Sequence, residues 1–220
     1  MKKIKSLSMA ITMIAIFLFV GCRPKTVTNP ATGKTWMDRN LGASQVATSS
    51  TDEAAYGNLY QWGRATEGHE SRKSGTTNSK ATTAVPGGGN PWDALFITEP
   101  ERLNDWLSPH DNTLWQGVSG TNNPCPSGFR LPTDEEWEAE RLSWVTNDKA
   151  GAFGSPLKLT VGGWRNHDEG MVVGDGWFGY YWSSSHPDGP TAHLLHFDAA
   201  RSHIRSVGRV NGFSVRCIKD

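Results

Sequence analysis

The chain has 220 residues, with 22 Lys and Arg against 22 Asp and Glu, and is formally neutral. That balance argues against a nucleic-acid partner, which calls for a clustered basic excess. Its 24 Gly and 10 Trp point instead to a loop-rich domain held by large aromatic anchors.

The first element is a targeting segment. Lys2, Lys3 and Lys5 precede an apolar run from Met9 to Val20 that only Thr12 interrupts. The run is shorter than the roughly 20 residues needed to cross a bilayer, so residues 1–21 read as a signal peptide. Phe19-Val20-Gly21-Cys22 resembles a bacterial lipobox, which would make Cys22 the lipidation site and membrane anchor. A plain signal peptide with a chance cysteine is the alternative. Arg23, rather than Asp, after the cysteine favours the outer membrane and display at the cell surface. Loss of Lys2, Lys3 and Lys5 would leave 19 cationic side chains against 22 anionic ones. The mature chain of about 200 residues suffices for a single domain. Cys125 and Cys217 are the two remaining cysteines. In an oxidising compartment they are expected to form a disulfide.

Residues 22–33, with Pro24 and Pro30, read as the lipidated cysteine and a short tether, and residues 34–220 as the folded domain. Between residues 65 and 91, Ser, Thr and Gly dominate and predict a long surface loop. Glu67-Gly68-His69-Glu70 lies within it; lacking the HExxH spacing, it reads as solvated loop rather than metal site. Thr133-Asp134-Glu135-Glu136 is a capping-box string and starts the clearest helix. Trp137 and Leu142 would share its buried side through about Trp144, with its four glutamates forming a solvated face. Most tryptophans are expected to be buried pins; an exposed sugar-binding platform is the alternative.

The last stretch has an unusual composition. From Ser183 to Val215 there is no Lys, Glu, Gln, Met or Trp, although these five types make up 38 of the 220 residues. About six would be expected in such a window. None of the five is encoded by a codon ending in C or T. Asn codons randomised at their adenines sample only the other fifteen types, so the segment looks like one scrambled at adenines. A strand is predicted over Thr191–Asp198, with Leu195 and Phe197 facing the core and Leu194, His196 and Asp198 displayed. Farther on, His203, Arg205 and Val207 share one side of an extended segment. Asn211-Gly212 then turns the chain, and Phe213, Val215 and Cys217 return on a buried face.

Four strings carry a resemblance. They are Asn123-Pro-Cys-Pro-Ser-Gly-Phe-Arg-Leu-Pro-Thr-Asp-Glu-Glu-Trp137, Thr35-Trp-Met-Asp-Arg-Asn-Leu-Gly-Ala43, Gly179-Tyr-Tyr-Trp-Ser-Ser184 and Asn211-Gly-Phe-Ser-Val-Arg-Cys217. Together they resemble the Fibrobacter succinogenes major paralogous domain, related to the formylglycine-generating-enzyme type of C-type-lectin fold. The resemblance implies an α+β domain with a small twisted antiparallel sheet, flanking helices, long loops and neighbouring terminal strands. It also implies kinship with lipoprotein targets of diversity-generating retroelements, whose C-terminal segment is rewritten at adenines. The expected function is therefore a surface-displayed, ligand-binding lipoprotein with a variable region at about residues 183–215. Its ligand-contacting set would be His186, Asp188, Thr191, His193, Leu194, His196, Asp198, Arg201, His203, Arg205, Val207 and Arg209.

A protein is the first expected ligand and a glycan the second. A non-diversified structural adhesin or glycan-binding envelope lipoprotein is the alternative class. His193 and His196, three positions apart on a strand, point to opposite faces, so no metal is expected, and no cofactor is implied. Calcium-lectin strings are absent; His186-Pro187-Asp188 is the nearest approach. An oxidase of the formylglycine-generating type would need a second cysteine near Cys217 in sequence, and none is there, so the expectation is a binder and not an enzyme.

Overall fold

The computed structural model describes residues 24–99 and 104–220. The proposed signal peptide and Cys22 lie outside the described residues. No described helix is long and apolar enough to cross a membrane.

Among the described residues, thirteen short strands, two α-helices and a 3-10 turn at Glu53–Ala55 follow in order. β1 (Thr26–Thr28) and β2 (Thr35–Met37) form a hairpin; β3 (Tyr60–Gln61), β4 (Thr76–Thr77), β5 (Phe96–Ile97) and β6 (Phe129–Arg130) are two-residue strands set in long connections. Helices α1 (Asp134–Leu142) and α2 (Lys149–Gly154) come next. Then follow β7 (Gly162–Arg165), β8 (Val172–Asp175), β9 (Gly179–Trp182), β10 (Thr191–Phe197), β11 (Ser202–Gly208), β12 (Gly212–Phe213) and β13 (Ile218–Lys219). The result is an α+β architecture of small sheets, antiparallel except for the parallel β4–β5 pair. The sheets run β1-β2-β13-β6, β3-β12-β7-β8 and β11-β10-β9.

The C-terminal segment threads all three. β12 pairs with β3 and β7, Ser214 bridges to Tyr181 of β9, and Ile218 of β13 sits between Trp36 of β2 and Arg130 of β6. Just before β13, Cys217 is bonded to Cys125, with Cα atoms 5.9 Å apart. The expected disulfide is thus present, and it ties the chain's end to the segment entering β6.

The β9–β10–β11 sheet lies between two hydrophobic clusters, because alternate residues of β9 and β10 feed opposite sides. Trp182, Ala192 and Leu194 join Trp62, Trp106, Trp115, Phe213 and Val215 on one side. Tyr181, Leu195 and Phe197 join Trp36, Trp137, Leu157, Leu159 and Val161 on the other. Gly179 is needed where β9 meets β10: a Cβ there would come within 2.2 Å of the Phe197 ring.

Eight of the ten tryptophans are buried, as expected of pins. Several have their indole N–H satisfied by distant backbone: Trp62 donates to Ser183 O, Trp106 to Trp62 O, Trp137 to Trp182 O and Trp182 to Tyr60 O. These bonds let a large apolar ring be buried without stranding its donor, and they fix loop against loop.

α1 starts as expected. Thr133 Oγ1 accepts from Glu136 N, and the Glu136 carboxylate accepts from Thr133 N. Three features of this region differ from expectation. Leu142 is 68% exposed, since five residues on from Trp137 it lies well round the helix from the face that buries Trp137 and Glu140. Glu140 is fully buried, accepting from Asn29 Nδ2 at 2.6 Å and from Trp144 Nε1 at 3.2 Å. The tether is also shorter than predicted, because residues 26–28 already pair with β2 and Asn29 is locked to Glu140.

The Glu67–Glu70 stretch is not solvated. His69 and Glu70 are buried, with His69 Nε2 accepting from Gln61 N at 3.2 Å. His69 Nδ1 lies 2.8 Å from Glu67 Oε1, though poorly aligned for a hydrogen bond. Burial first, then the Arg64 charge, hold His69 well below the usual histidine range and therefore neutral. Arg64, stacked on Trp92 and Trp106, pairs with Glu67 and closes this buried polar cluster.

Candidate binding surface

The unusual window begins one residue after β9 and contributes all of β10, β11 and β12 with the loops between them. β10 and β11 pair through seven residues, from Thr191 opposite Gly208 to Phe197 opposite Ser202. β11 is an edge of its sheet. Its side chains at 203, 205 and 207 share a face with 196, 194 and 192 of β10, because directly opposed residues of an antiparallel pair point the same way.

Nine of the twelve expected contact positions reach solvent. Asp188, Arg201 and Arg205 are exposed, and His186, Thr191, His193, Asp198, His203 and Val207 are half-buried. Three are not displayed. Leu194 is 0% exposed because the expected solvent face of β10 is covered by the Trp62–Phe213 cluster. His196 is 4% exposed, stacked 4.6 Å from the Tyr180 ring, with Nε2 3.4 Å from Asp198 Oδ2 and Nδ1 without a partner. Arg209 is 1% exposed: its guanidinium lies 4.2 Å over Trp62 and donates to Thr191 O, Asp111 O and Asn112 Oδ1. Asp105, 3.8 Å from Arg209, is pushed up by burial to about 6 even so.

Several of the nine open positions are held by fixed parts of the fold. His193 Nδ1 lies 2.6 Å from Asp134 Oδ2 at the start of α1, and Ser185 Oγ donates to Asp134 Oδ1 at 2.7 Å. Burial raises the Asp134 carboxyl, but the bonds from Ser185 and His193 outweigh it, and the group ionises below its usual range. Asp198 organises the β10–β11 turn by accepting from Ala200 N and Arg201 N. His203 sits 5.0 Å from His196, ring to ring; burial, then the Arg201 and Arg205 charges, lower its pKa. His193 and His196 do lie on opposite faces of β10. Among the described residues, no three His, Cys, Asp or Glu side chains converge as a cation site.

Where the β7–β8 hairpin comes up to Tyr180 of β9 and to β11, the surface dips into a cleft of about 660 Å³. Trp164, Tyr180, Phe213 and Val207 line it with the charged or titratable side chains of Arg205, Asp168 and His167. Trp164 meets Tyr180 edge-on at 5.1 Å, and Tyr180 is stacked between His196 and Phe213. Burial raises the Tyr180 hydroxyl pKa, with Arg205 pulling against it. The sequence reading missed Trp164 and Tyr180 as contributors to the surface because both precede the unusual window. The aromatic-rich string Gly179-Tyr180-Tyr181-Trp182 was the available signal.

Compared with family models, curated proteins and solved structures, the chain matches none.

Proposed function

We propose that the protein is a lipid-anchored, cell-surface binding protein of C-type-lectin-like fold whose segment Ser183–Val215 is diversified at adenines to vary what it binds. The observation that carries this reading is the coincidence of two properties in one segment. The five residue types that adenine scrambling of Asn codons cannot produce are missing from it. The same segment builds a strand pair, one edge of which is free and nine of whose candidate positions reach solvent.

A fixed frame supports that division of labour. The disulfide and the Trp-to-backbone bonds hold the strands from outside the varied side chains. Exchanging an open side chain on such a frame usually shifts stability by no more than about 0.5 kcal/mol. A protein ligand fits a surface whose open positions extend along the whole of β11, a strand roughly 20 Å long.

Resequencing the gene across isolates tests the reading. Changes should fall at the codons for His186, Asp188, Thr191, His193, Asp198, Arg201, His203, Arg205 and Val207, while those for Leu194 and Arg209 stay fixed. A partial copy of these codons rich in AAC and AAT, beside a reverse-transcriptase gene, should accompany them. Changes scattered evenly over the chain, or none at all, would reject diversification in favour of a structural adhesin.

A further inference from the structure

β11 is the outer strand of its sheet, and among the described residues nothing pairs with its open edge. The direction of its main-chain groups follows from that of β10. His193 N donates to Ser185 O and His193 O accepts from Ser183 N, both on the β9 side, so Leu194 and His196 turn theirs towards β11. Arg205 and His203, directly opposite them, are satisfied by that pairing. The alternate residues, Ile204 and Ser206, therefore present their N–H and C=O groups outward, with no described partner. The edge is closed at both ends: Ser202 Oγ donates to Asn147 Oδ1, and Gly208 O accepts from Asn211.

A cleft opens on each face of the strand beside that gap. One is the 660 Å³ cleft, where Arg205 and Asp168, of opposite sign, stand among aromatic rings. The other, of about 670 Å³, runs between Ile204 and the outer side of α1, with Ala139 and the exposed Leu142 as its apolar wall. Asp134, Glu135 and Glu138 line it against a single cation, Arg141, because burial and the Arg201 and Arg205 charges keep His203 neutral at pH 7. Arg141 is engaged by Glu138 at 2.5 and 2.8 Å, and Asp134 by Ser185 and His193. Glu135 is left as the carboxylate without a described partner.

We infer that an extended segment of a partner protein adds to the sheet along β11, its main chain bonding to Ile204 and Ser206 and its alternate side chains entering the two clefts. Successive side chains of a strand point to opposite faces, so an added strand fills both clefts at once. Charge decides what enters the α1 side. A lysine or arginine stem lies against Ala139, Leu142 and Ile204, with its cationic head at Glu135. A second copy of this chain is a poor occupant. The antiparallel register that uses both open residues of each copy sets Arg205 directly opposite Arg205, and opposed like charges weaken a strand pair. The inference rests on the receptor reading for its class of partner, a protein, while the open edge belongs to the fold itself. Main-chain bonds also persist whichever side chains stand at positions 203, 205 and 207.

The probe is the peptide acetyl-Lys-Val-Lys-Val-Lys-Val-amide, followed by NMR and amide hydrogen exchange of the nitrogen-15-labelled protein. In the free protein the Ile204 and Ser206 amides should exchange fast and those of His203 and Arg205 slowly. Saturating peptide should slow the first pair by at least about tenfold and leave the second pair unchanged. Methylation of peptide nitrogens separates main-chain from side-chain binding. Methylating one alternate set, the lysines for an antiparallel addition or the valines for a parallel one, should abolish binding, and methylating the other set should preserve it. Ser206→Pro removes an outward N–H without touching the β10 ladder and should weaken binding by about tenfold. If that variant fails to fold, the methylated pair of peptides decides. A peptide with glutamate in place of lysine should bind about tenfold more weakly, and Glu135→Gln should remove most of that difference. Equal loss with either methylated set, an equally tight glutamate peptide, or no saturable change at Ile204 and Ser206 overturns the inference. So does protection of both amides that grows with protein concentration in the absence of peptide, which would assign the edge to a second copy. Varied codons with unprotected amides would leave the receptor reading standing and remove the added strand. Peptide-protected amides with uniform codons would do the reverse.

Discussion

Position 194 and position 205 are direct neighbours across the β10–β11 pair, yet they have opposite fates. Leu194 points into the cluster around Trp62 and Phe213, while Arg205, on the edge strand, projects over the cleft. Truncating Leu194 would leave a cavity that rigid tryptophans cannot close, so Leu194→Ala should cost about 2–5 kcal/mol. Arg205→Ser removes an unpaired, exposed side chain and should change stability by less than about 0.5 kcal/mol. Urea unfolding of the two variants separates these expectations. A large loss at Arg205, or none at Leu194, would mean that displayed and structural positions in this segment have been misassigned. Burial of Leu194 was legible in retrospect. Ala192 to Phe197 is broken only by two histidines, and a nearly continuous apolar run marks a strand covered on both sides. Strict alternation was the wrong template for it. Arg209 was not legible, because arginine is rarely buried unless stacked and hydrogen-bonded, and its partners lie on Asp111, Asn112 and Trp62.

At the scale of elements, α1 was the most readable piece because its start is a local chemical device. Thr133 and Glu136 exchange bonds within one turn, and no distant residue is needed to recognise them. α2 escaped because its core residues are Ala150-Gly151-Ala152-Phe153-Gly154, poor in helix signals apart from the Asp148 cap. The two-residue strands escaped too, since so short an element is defined by its partners. Glu136 also receives Arg130 at 2.7 Å and Lys34 at 3.3 Å. Burial raises its pKa, but the Arg130 bonds and the Thr133 amide prevail and bring it down to about 2. A carboxylate depressed in the fold, against about 4.3 in the unfolded chain, adds stability that is fully present above pH 5 and is lost as pH falls towards 2. Glu136→Gln keeps one oxygen for the Thr133 amide, removes the charge, and turns the oxygen that accepts from Arg130 Nη2 and Lys34 into a donor. It should therefore lower stability at pH 7 by roughly 1–2 kcal/mol, allowing for solvent screening, and by almost nothing at pH 2. Denaturant unfolding at both pH values checks this; a constant difference would assign the effect to packing.

Across the whole molecule, the three sheets of three or four strands would be poor stabilisers by themselves, because their two-residue strands contribute few ladder bonds. What unites them is the segment from Gly212 to Lys219, which touches β3, β7, β9, β2 and β6 in eight residues. Arg216 within it is fully buried and donates to Asn40 Oδ1, Met37 O and Leu157 O, so two distant parts of the chain, residues 37–40 and Leu157, depend on a single side chain. Cys217 adds the covalent closure, 92 residues from its partner. This placement gives the proposed exchange a defined end within the segment: the open side chains up to Val207 can be exchanged, and the thread from Gly212 onward cannot. Closing a loop of that length should stabilise the fold by about 4–5 kcal/mol on the chain-entropy account. The double variant Cys125→Ser/Cys217→Ser should lose an amount of that order in urea, and the first region released should be the terminal thread. Hydrogen exchange would then show faster exchange at the amides of Trp182 and Ser214, whose bonds to Ser214 O and Tyr180 O join the thread to β9. If those amides stay as protected as in the bonded protein, the thread is held by packing and Arg216 alone, and the bridge does not fix the end of the variable region.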